Sequence, residues 1–330
     1  MHIVVTGGTG FLGSRLAREL LAAGSLTVAG RAARPLSRLT LIDRAPAPPD
    51  LAADDRVRVV RGDLTDLLGA AATARDTLAE AELIFHLAAA VSGESEADFD
   101  LGLRANLQAT QVLLASCRAL GTSPVVVFSS SVAVFGGSAE QPLPAVITDD
   151  TRPNPQTSYG AQKTMGEYLL ADYTRKGFVN GRAVRLMTVS VRPGRPNAAA
   201  SGFLSGMVRE PLAGQRAVCP VDPGTEVALA SPAKAIGALL CAATSSDQAW
   251  GGRAALTMPA LTVTVADMAA ALTRVAGPQV SALIDWVPDP MITRMFATWP
   301  ARIRADRAAR LGLTADADFD SVIRAYQAES

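Results

Sequence analysis

The sequence predicts an α/β protein, with a doubly wound parallel sheet followed by a smaller, partly helical C-terminal domain. Three observations predict this class. A glycine-rich turn joins a short apolar run to an amphipathic segment near residue 10, apolar runs then alternate with helical patterns through the first half, and a Gly/Pro-rich stretch is followed by helix-rich sequence in the second half. Such alternation is typical of a parallel sheet with helices on both faces.

The first element is the turn TGGTGFLG, which begins at Thr6. The run IVV before it favours a buried strand, and apolar residues after it recur at helical spacing to about Ala23. Glycine lacks a Cβ, so backbone amides at the start of the helix can approach a pyrophosphate closely. A turn without a ligand is the alternative, but strand, turn and helix are all in register. We therefore predict a dinucleotide site in a Rossmann sheet, held here by Gly7, Gly10, Phe11, Leu12 and Gly13.

The following elements continue the alternation through the first half of the chain. Ligands bind to such sheets in a crevice at the carboxyl ends of the strands, so we expect the chemistry there. In chain order the predicted elements are the strand LTLID, the strand VRVVRGD, a helix over DTLAEA, the strand LIFHLAA, a long helix from about Leu101 to Leu120 and the strand PVVVFSSS.

The second half begins with the buried strand VRLMTVSV and the loop RPGRPNAAASG, where we expect the chain to leave the sheet. The segment from about Ser231 to Ala243 is predicted to be helical and to return to the first domain. The stretch TVTVADMAAALTRVAG and the run from Pro290 onward are predicted to be helix-rich. We expect residues 1–190, with about 226–256, to form the dinucleotide-binding Rossmann domain, and residues 191–225 and 257–330 to form a substrate-binding lid.

Composition favours a small-molecule partner. The 330 residues carry 31 basic and 31 acidic side chains, so no overall field attracts nucleic acid or a membrane surface. Cys117, Cys219 and Cys241, with only His2 and His86 as histidines, do not have metal-type spacing, so we predict no metal. The first strand leaves no room for a signal segment, and no stretch reaches the roughly 18 apolar residues of a membrane helix. We expect a cytoplasmic protein that binds neither membrane nor nucleic acid.

The cofactor side is predicted from the strand ends. Asp43 follows the glycine turn by about thirty residues, where a carboxylate accepts hydrogen bonds from both ribose hydroxyls, which favours NAD over NADP. A solvated acid at Asp43, or a contact from Arg44 to a 2′-phosphate, stays an alternative. Asp63 is expected to accept from the adenine amino group, with Leu64 against the ring, or else to cap the following helix.

The remaining cofactor contacts are predicted at neighbouring strand ends. His86 in IFHLAAA is expected to be a packed, hydrogen-bonded core residue, and the small residues after it leave room for the cofactor. The predicted contacts are Leu87, Ala88, Ala89, Ser129, Met187 and Val189.

The catalytic side is predicted from SSSVAVFG, at the end of a buried strand, and SYGAQK, at the start of a helix. Tyr159 and Lys163 are four residues apart and share one helix face, where an ammonium beside a phenol stabilises the phenolate. A free phenol titrates near pH ~10, so a tyrosine base needs that help together with the positive nicotinamide. A strand-end serine holds the reacting oxygen. A solvated helix face is the alternative for the Tyr/Lys pair alone.

Together, TGGTGFLG, Asp43, RGDLTD, HLAAA, SSSVAVFG and YGAQK resemble the extended short-chain dehydrogenase/reductase family, which includes sugar-nucleotide epimerases and dehydratases. The resemblance covers essentially the whole chain. It implies that Ser131 is the catalytic serine, that Tyr159 is the acid/base and that Lys163 holds the cofactor ribose. It further implies that Asn106 supports the lysine through water, although a helix-surface amide is the other interpretation of this residue.

The resemblance also implies a homodimer, formed through two long helices near residues 101–120 and 160–176. Phe135 replaces the tyrosine that is common after the serine strand, so an auxiliary hydroxyl is absent there.

The substrate is predicted from residues 185–221, where the usual N-x-Y-G-P is replaced by Thr188, Ser190, Val191 and Arg192. This stretch resembles the subfamily that oxidises a four-carbon sugar acid, D-erythronate, at C2 with NAD. A small acid needs a carboxylate clamp, which arginine forks suit. The alternatives are a sugar-nucleotide 4-epimerase or dehydratase that retains NAD, and a non-catalytic dinucleotide sensor. The candidate substrate contacts are Ser131, Tyr159, Thr188, Asn197, Ser201 and the arginines Arg192, Arg209 and Arg195, in that order.

Overall fold

A computed structural model describes residues 1–194 and 201–329. The predicted ligands Asn197 and Arg195 lie outside these residues. Apolar, β-branched runs form most of the strands, as expected for strands buried on both faces. The strands are β1 (His2–Thr6), β2 (Ser25–Leu26), β3 (Arg34–Pro35), β4 (Arg38–Asp43), β5 (Val57–Arg61), β6 (Ala81–His86), β7 (Val125–Ser131), β8 (Asn180–Leu186), β9 (Thr188–Val189), β10 (Ala217–Cys219), β11 (Glu226–Ala230), β12 (Leu256–Thr257), β13 (Leu261–Thr264) and β14 (Ile284–Trp286).

Seven strands form one sheet in the order β12-β8-β7-β6-β1-β4-β5, and every pair in it is parallel. This confirms the predicted fold class. Parallel register places Thr6 beside His86 and Ser131 beside Leu186, so the polar residues that end these strands lie at one edge of the sheet. The order of strands reverses beside β1, and a crevice at such a switch point is where ligands bind.

The helices pack on both faces of this sheet and around the C-terminal strands. A π-helical segment, Leu103–Gln108, joins α6 to α7, so the predicted helix from Leu101 to Leu120 is nearly continuous. A 3₁₀ turn, Val132–Val134, follows β7. The α-helices are α1 (Phe11–Ala23), α2 (Pro49–Ala52), α3 (Leu64–Gly69), α4 (Ala71–Leu78), α5 (Ser92–Ala97), α6 (Phe99–Gly102), α7 (Ala109–Leu120), α8 (Ser158–Arg175), α9 (Gly202–Leu212), α10 (Pro232–Thr244), α11 (Asp247–Trp250), α12 (Val265–Ala276), α13 (Pro278–Ser281), α14 (Pro290–Phe296), α15 (Asp306–Arg310) and α16 (Phe319–Glu329).

Two predicted elements differ from the structure. The helix over DTLAEA ends at Leu78, because Ala81 already begins β6. The first residues of TVTVADMAAALTRVAG are not helical: Leu261–Thr264 form β13, which pairs antiparallel with β11, and helix α12 begins only after Thr264 caps it. Alternating β-branched residues favour a strand over a helix in this segment.

The chain returns to the large sheet through α10, which packs on β7 and β8, and through β12, which pairs with β8. β11 instead belongs to a separate three-stranded sheet with β9 and β13. The division into two domains at these boundaries stays a prediction.

Three apolar clusters stabilise the fold. In β1, Ile3 and Val5 pack into one cluster and Val4 packs into another, because successive strand residues point to opposite faces of the sheet. The third cluster, which includes Met207 and Phe296, lies among the C-terminal elements. The sheet is therefore covered on both faces, which leaves its carboxyl edge for a ligand.

None of the helices in the described part of the chain is both long and apolar enough to span a bilayer. Within the same residues, no three histidine, cysteine, aspartate or glutamate side chains are grouped so that they could hold a metal ion.

Candidate active site

A cleft of about 590 Å³ lies at the carboxyl ends of the parallel strands. Its size is typical of a ligand site. The glycine turn and the ends of β4 and β5 line one half, and the ends of β7 and β8, the start of α8 and residues from the C-terminal part line the other. The two halves correspond to the cofactor side and the catalytic side predicted from the sequence.

Two glycines of the turn, Gly7 and Gly13, have no room for a side chain. Gly7 has a positive φ of 68°, and a Cβ there would lie 2.8 Å from the backbone nitrogen of Ala88. A Cβ on Gly13 would lie 2.0 Å from the carbonyl oxygen of Gly7, so only glycine lets α1 approach the strand this closely. Helix α1 begins at Phe11, with its free amides at the cleft. This cradle fits the pyrophosphate of a dinucleotide.

Asp43 lies at the end of β4 and is tied to the glycine turn. Its carboxylate accepts a 3.0 Å hydrogen bond from the backbone nitrogen of Thr9 and a 2.7 Å bond from that of Arg44. Arg44 also lines the cleft, and its carbonyl oxygen accepts a hydrogen bond from Arg61. The contact of Asp43 with ribose stays a prediction, and the carboxylate is held where the cleft begins.

Asp63 caps helix α3 by accepting a 2.9 Å hydrogen bond from the backbone nitrogen of Thr65. The capping interpretation is therefore confirmed. Arg104, from the π-helical segment, also donates to Asp63 and to Asp66, and it lines the cleft beside Leu64. The sequence analysis did not identify Arg104, and the adenine contact of Asp63 stays a prediction.

Ser131 and Tyr159 are brought together from β7 and α8. The hydroxyl of Ser131 is near enough to the phenol of Tyr159 to lower its pKa, and the Oγ of Ser131 accepts a hydrogen bond from the backbone nitrogen of Ala133 at 3.1 Å. Helix α8 approaches this turn very closely at Gly160, where a Cβ would lie 2.2 Å from the carbonyl oxygen of Ala133. Thr157 caps the helix by accepting from the nitrogen of Gly160. The two hydroxyls are thus positioned by backbone contacts.

Lys163 lies one turn after Tyr159 and is almost completely buried, at 1% exposure. Its Nζ donates a 2.8 Å hydrogen bond to the carbonyl oxygen of Ser129 and lies 5.6 Å from the centre of the Tyr159 ring. Burial lowers the pKa of Lys163 to about 7, and the negative charge of Glu167 opposes that shift. The alternative interpretation of the Tyr/Lys pair as a solvated helix face is wrong.

Burial raises the pKa of Tyr159, whereas the hydrogen bond from Ser131 and the charge of Arg192 lower it. The sequence analysis assigned the lowering of the Tyr159 pKa to Lys163. Arg192 is therefore a further cation that favours the phenolate.

A buried ion pair supports this arrangement from behind. Arg185 donates to both carboxylate oxygens of Glu167, at 2.9 and 2.7 Å, and Ser130 donates to the same carboxylate at 2.5 Å. The guanidinium of Arg185 lies over the ring of Phe135, 4.8 Å from its centre. These contacts join β7, β8 and α8, and the sequence analysis did not identify them.

Asn106 is buried, at 1% exposure, so the interpretation of this residue as a helix-surface amide is wrong. Its side-chain oxygen accepts from the backbone nitrogen of Ala90 at 2.8 Å, and its side-chain nitrogen donates to the Oγ of Ser95 at 3.1 Å. Asn106 therefore fixes the loop after β6, which lines the cleft. Its support of Lys163 through water stays a prediction.

His86 is packed and hydrogen-bonded, as predicted. Its Nδ1 lies 2.7 Å from the hydroxyl of Thr6 and its Nε2 lies 2.9 Å from that of Thr110. Burial lowers the pKa of His86 to about 3, so the ring is neutral at physiological pH. The histidine thus joins β1 and β6 to α7.

The remaining predicted residues fall into two groups. Arg209 is not among the described residues that line the cleft, because it donates to the carbonyl oxygen of Arg192 at 2.8 Å and to Glu210 at 2.5 Å. Trp299 and Pro300 also line the cleft, and the sequence analysis did not identify them. The other predicted residues that line it are Leu12, Leu87, Ala88, Ala89, Ser129, Met187, Thr188, Val189, Arg192 and Ser201.

Arg192 has an unusual environment. Its Nη2 is buried and has no hydrogen-bond partner among the described residues. Burial, and then the positive charge of Arg209, lower the pKa of Arg192, while the tyrosine in the cleft opposes the shift. A buried guanidinium nitrogen without a partner is costly, and the half-buried guanidinium of Arg192 is a cation on the lining of the cleft.

A family model described as "NAD dependent epimerase/dehydratase family" matches residues 3–228. The chain belongs to this family. The predicted family and the predicted cofactor, NAD, are both confirmed, and the glycine cradle fits that cofactor. Together with its dehydrogenase relatives, family membership shows that the chain is an NAD-dependent oxidoreductase.

Two relatives cover the whole chain. A D-erythronate dehydrogenase from Cupriavidus necator is 50% identical over 331 residues, which cover 100% of this chain and 99% of the relative. A D-erythronate dehydrogenase from Haemophilus influenzae is 39% identical over 327 residues, which cover 99% of this chain and 98% of the relative.

Two solved structures share the fold. A protein described as the nucleoside-diphosphate-sugar epimerase from Agrobacterium tumefaciens is similar with a TM-score of 0.90 at 42% identity, over 100% of this chain and 94% of that chain. A GalE-like L-threonine dehydrogenase from Cupriavidus necator, in its holo form, has a TM-score of 0.83 at 22% identity, over 100% of this chain and 99% of that chain. The second likeness shows the fold alone.

Proposed function

We propose that this protein oxidises a four-carbon sugar acid at C2 with NAD, converting D-erythronate to 2-dehydro-D-erythronate. The observation that carries the proposal is Arg192, a half-buried cation that lines the cleft and whose charge lowers the pKa of Tyr159. A substrate with a carboxylate next to the hydroxyl that is oxidised satisfies both features. The names of the two full-length relatives support the same substrate.

In the proposed reaction, Arg192 binds the substrate carboxylate and the Oγ of Ser131 hydrogen-bonds to the C2 hydroxyl. Tyr159, as the phenolate, accepts the proton of that hydroxyl at its phenol oxygen. Bound NAD supplies the hydride acceptor that the oxidation requires. Lys163 would hold the cofactor ribose and, by its charge, favour the phenolate. The pyrophosphate would lie on the glycine turn and the adenosine ribose on Asp43.

The same proposal includes a homodimer formed through α7 and α8. Met165 and Tyr168 are exposed on one face of α8, at 42% and 65%, and Phe99 near the neighbouring helix is 59% exposed. Large apolar side chains three residues apart on a helix form a patch of the kind that protein interfaces cover. Light scattering during gel filtration tests the mass, and a monomer would contradict this part. The predicted domain boundaries and cytoplasmic location stay predictions.

A sugar-nucleotide epimerase is the second candidate, because the similar solved structure from Agrobacterium tumefaciens carries a nucleoside-diphosphate-sugar name. Such an enzyme keeps NAD bound through its cycle. The two candidates therefore differ in whether NADH is released.

The test is to mix the purified protein with NAD and D-erythronate and to follow NADH by its absorbance. L-threonate, D-threonate, UDP-glucose and NADP serve as parallel reactions. We expect NADH to form with NAD and D-erythronate, and Tyr159→Phe to lose about 10²-fold or more of kcat while it still binds NADH. Conversion of UDP-glucose without added NAD, and silence on every acid, would overturn the proposal.

A further inference from the structure

Trp299 belongs to the C-terminal part of the chain and lines the cleft. The proposed reaction gives this residue no role. Trp299 lines the same cleft as Tyr159, Arg192 and Ser201. It is partly buried, and Pro300, which follows it, is buried. A large flat side chain at this place limits the room that is left for a substrate.

The contacts around Trp299 place it on the substrate side of the cleft. The backbone nitrogen of Gly137, in the segment that follows Ser131, donates a 3.3 Å hydrogen bond to the carbonyl oxygen of Thr298. Phe203, two residues after Ser201, belongs to the aromatic group around Trp299. The residues that hold the adenosine half lie at the other strand ends, on β4 and β5.

The indole is also held rigidly. Its ring centre lies 4.5 Å from that of Phe296, and Phe296 in turn packs edge-on against Phe203, 5.2 Å away. The backbone beyond it is fixed as well, because the hydroxyl of Thr262 donates to the carbonyl oxygen of Ala301 at 2.6 Å. The Trp299 side chain therefore forms a rigid wall of the cleft. Because two aromatic contacts and backbone hydrogen bonds fix it, a larger ligand does not readily displace it.

We propose that Trp299 is a specificity-determining residue, whose indole limits the length of the sugar acid that fits between Arg192, Ser131 and the wall. This inference rests on the proposed function, since it takes a small sugar acid as the ligand. The acid's carboxylate lies at Arg192 and its C2 at Ser131, so the rest of its carbon chain extends into the remaining space. The apolar C–H face of that chain packs on the indole, and carbons beyond the fourth meet the wall.

The first experiment compares substrates of different length. The kcat/KM of wild type, Trp299→Ala and Trp299→Phe is measured with D-erythronate and with two six-carbon acids, D-gluconate and D-galactonate. We expect the six-carbon to four-carbon ratio to rise about tenfold or more in Trp299→Ala and to change little in Trp299→Phe. Trp286→Ala is the matched control, because Trp286 is 38% exposed and is not among the described residues that line the cleft. An unchanged ratio in Trp299→Ala would overturn the inference.

The second experiment measures binding and does not depend on turnover or on the alanine variant. The protein has three tryptophans, and Trp250 is buried at 3% exposure. We expect D-erythronate, added to protein with NADH, to change the tryptophan emission of wild type and of Trp286→Phe but not of Trp299→Phe. A response that survives in Trp299→Phe, or no response in any variant, would overturn the inference.

The failure of the proposed function has a different signature. If the wild type oxidises no acid and UDP-glucose changes the emission of Trp299, the indole contacts a nucleotide sugar, and both the function and the size limit are wrong. If the wild type oxidises D-erythronate but the length ratio does not move, only the role of Trp299 is wrong.

Discussion

The Nζ of Lys163 donates a 2.8 Å hydrogen bond to the backbone carbonyl oxygen of Ser129, two residues before Ser131. This bond fixes helix α8, which carries Tyr159, to the strand that carries Ser131. The next strand residue, Ser130, is bound to Glu167 on the same helix. The relative position of the Ser131 and Tyr159 hydroxyls is therefore set by contacts of their neighbours.

The charge of Lys163 is expected to depend on Glu167. Burial lowers the pKa of Lys163 to about 7 and the negative charge of Glu167 opposes this, so Glu167→Gln should lower that pKa further. An ammonium with a lower pKa loses its proton at a lower pH, so contacts that need the charge fail earlier as the pH rises. We expect NADH affinity, measured by fluorescence titration between pH 6 and 9, to begin to fall about one pH unit lower in the variant.

The control for this prediction is Glu140→Gln, because Glu140 is an exposed loop residue. Coincident pH profiles for Glu167→Gln and the control would show that Glu167 acts on the packing alone.

Features that depend on neighbours in the chain could be predicted. The glycine turn, the strand before it and the shared face of Tyr159 and Lys163 follow from periodicity and from spacing of a few residues, and all of them are found. The choice of Ser131 over Ser130 came from the resemblance to the family. In the structure the hydroxyl of Ser130 donates to Glu167 of the buried ion pair, whereas the Oγ of Ser131 accepts from the backbone nitrogen of Ala133, because neighbouring strand residues face opposite sides.

Features that depend on contacts between distant segments could not be predicted. The pairing of Glu167 with Arg185, and the position of Trp299 in the cleft, depend on which elements become neighbours when the chain folds. Arg209, which we predicted to contact the substrate, is not among the described residues that line the cleft, because the carbonyl oxygen of Arg192 and the carboxylate of Glu210 take its donors. Spacing along the sequence does not encode such contacts.

Gly160 is expected to control the relative position of Ser131 and Tyr159, the proposed catalytic residues. A Cβ at this position would lie 2.2 Å from the carbonyl oxygen of Ala133, so Gly160→Ala must move α8 away from the turn after Ser131. Displacing a catalytic group by about 1 Å costs on the order of 10²-fold, so we expect kcat to fall by roughly that factor with NADH affinity little changed. Overpacking should also lower the free energy of unfolding by about 1–3 kcal/mol.

Gly237 provides a matched control, because it lies within helix α10 and a Cβ there would meet no atom within 4 Å. Gly237→Ala should be neutral or more stable by about 0.5–1 kcal/mol. Equal kcat values for the two alanine variants would contradict the role given to Gly160.

His86 is expected to make the protein sensitive to acid. Its pKa is about 3 in the fold against 6.5 for a free histidine, because burial disfavours the charged ring. Between these values the unfolded chain binds a proton that the folded chain does not, so stability is complete above pH 6.5 and falls as the pH is lowered through this window. The loss from this residue is about 2 kcal/mol at pH 5.

The measurement is urea unfolding of wild type and His86→Gln at pH 7 and pH 5. The glutamine does not titrate, so the variant should start less stable but lose about 2 kcal/mol less between the two pH values. His2, whose pKa burial lowers to about 4, contributes in the same direction, so His2→Gln serves as a comparison. An identical loss in wild type and His86→Gln would contradict the prediction.

Asp43 is expected to set the preference for NAD over NADP. Its carboxylate lies at the end of β4, held by the backbone nitrogens of Thr9 and Arg44, and lines the cleft. There it would accept hydrogen bonds from the adenosine ribose and repel a 2′-phosphate. Asp43→Asn removes the charge and keeps one oxygen acceptor, so one of the two backbone hydrogen bonds, from Thr9 to Oδ2 or from Arg44 to Oδ1, is also lost. We expect NADH affinity to fall about tenfold and the preference for NADH over NADPH to shrink by more, because Arg44 then faces the phosphate without a competing anion.

Fluorescence titration with both reduced cofactors measures these affinities. Asp50→Asn is the control, since Asp50 pairs with Arg18 at the surface. A variant that keeps the wild-type ratio of NADH to NADPH affinity would show that another residue discriminates between them.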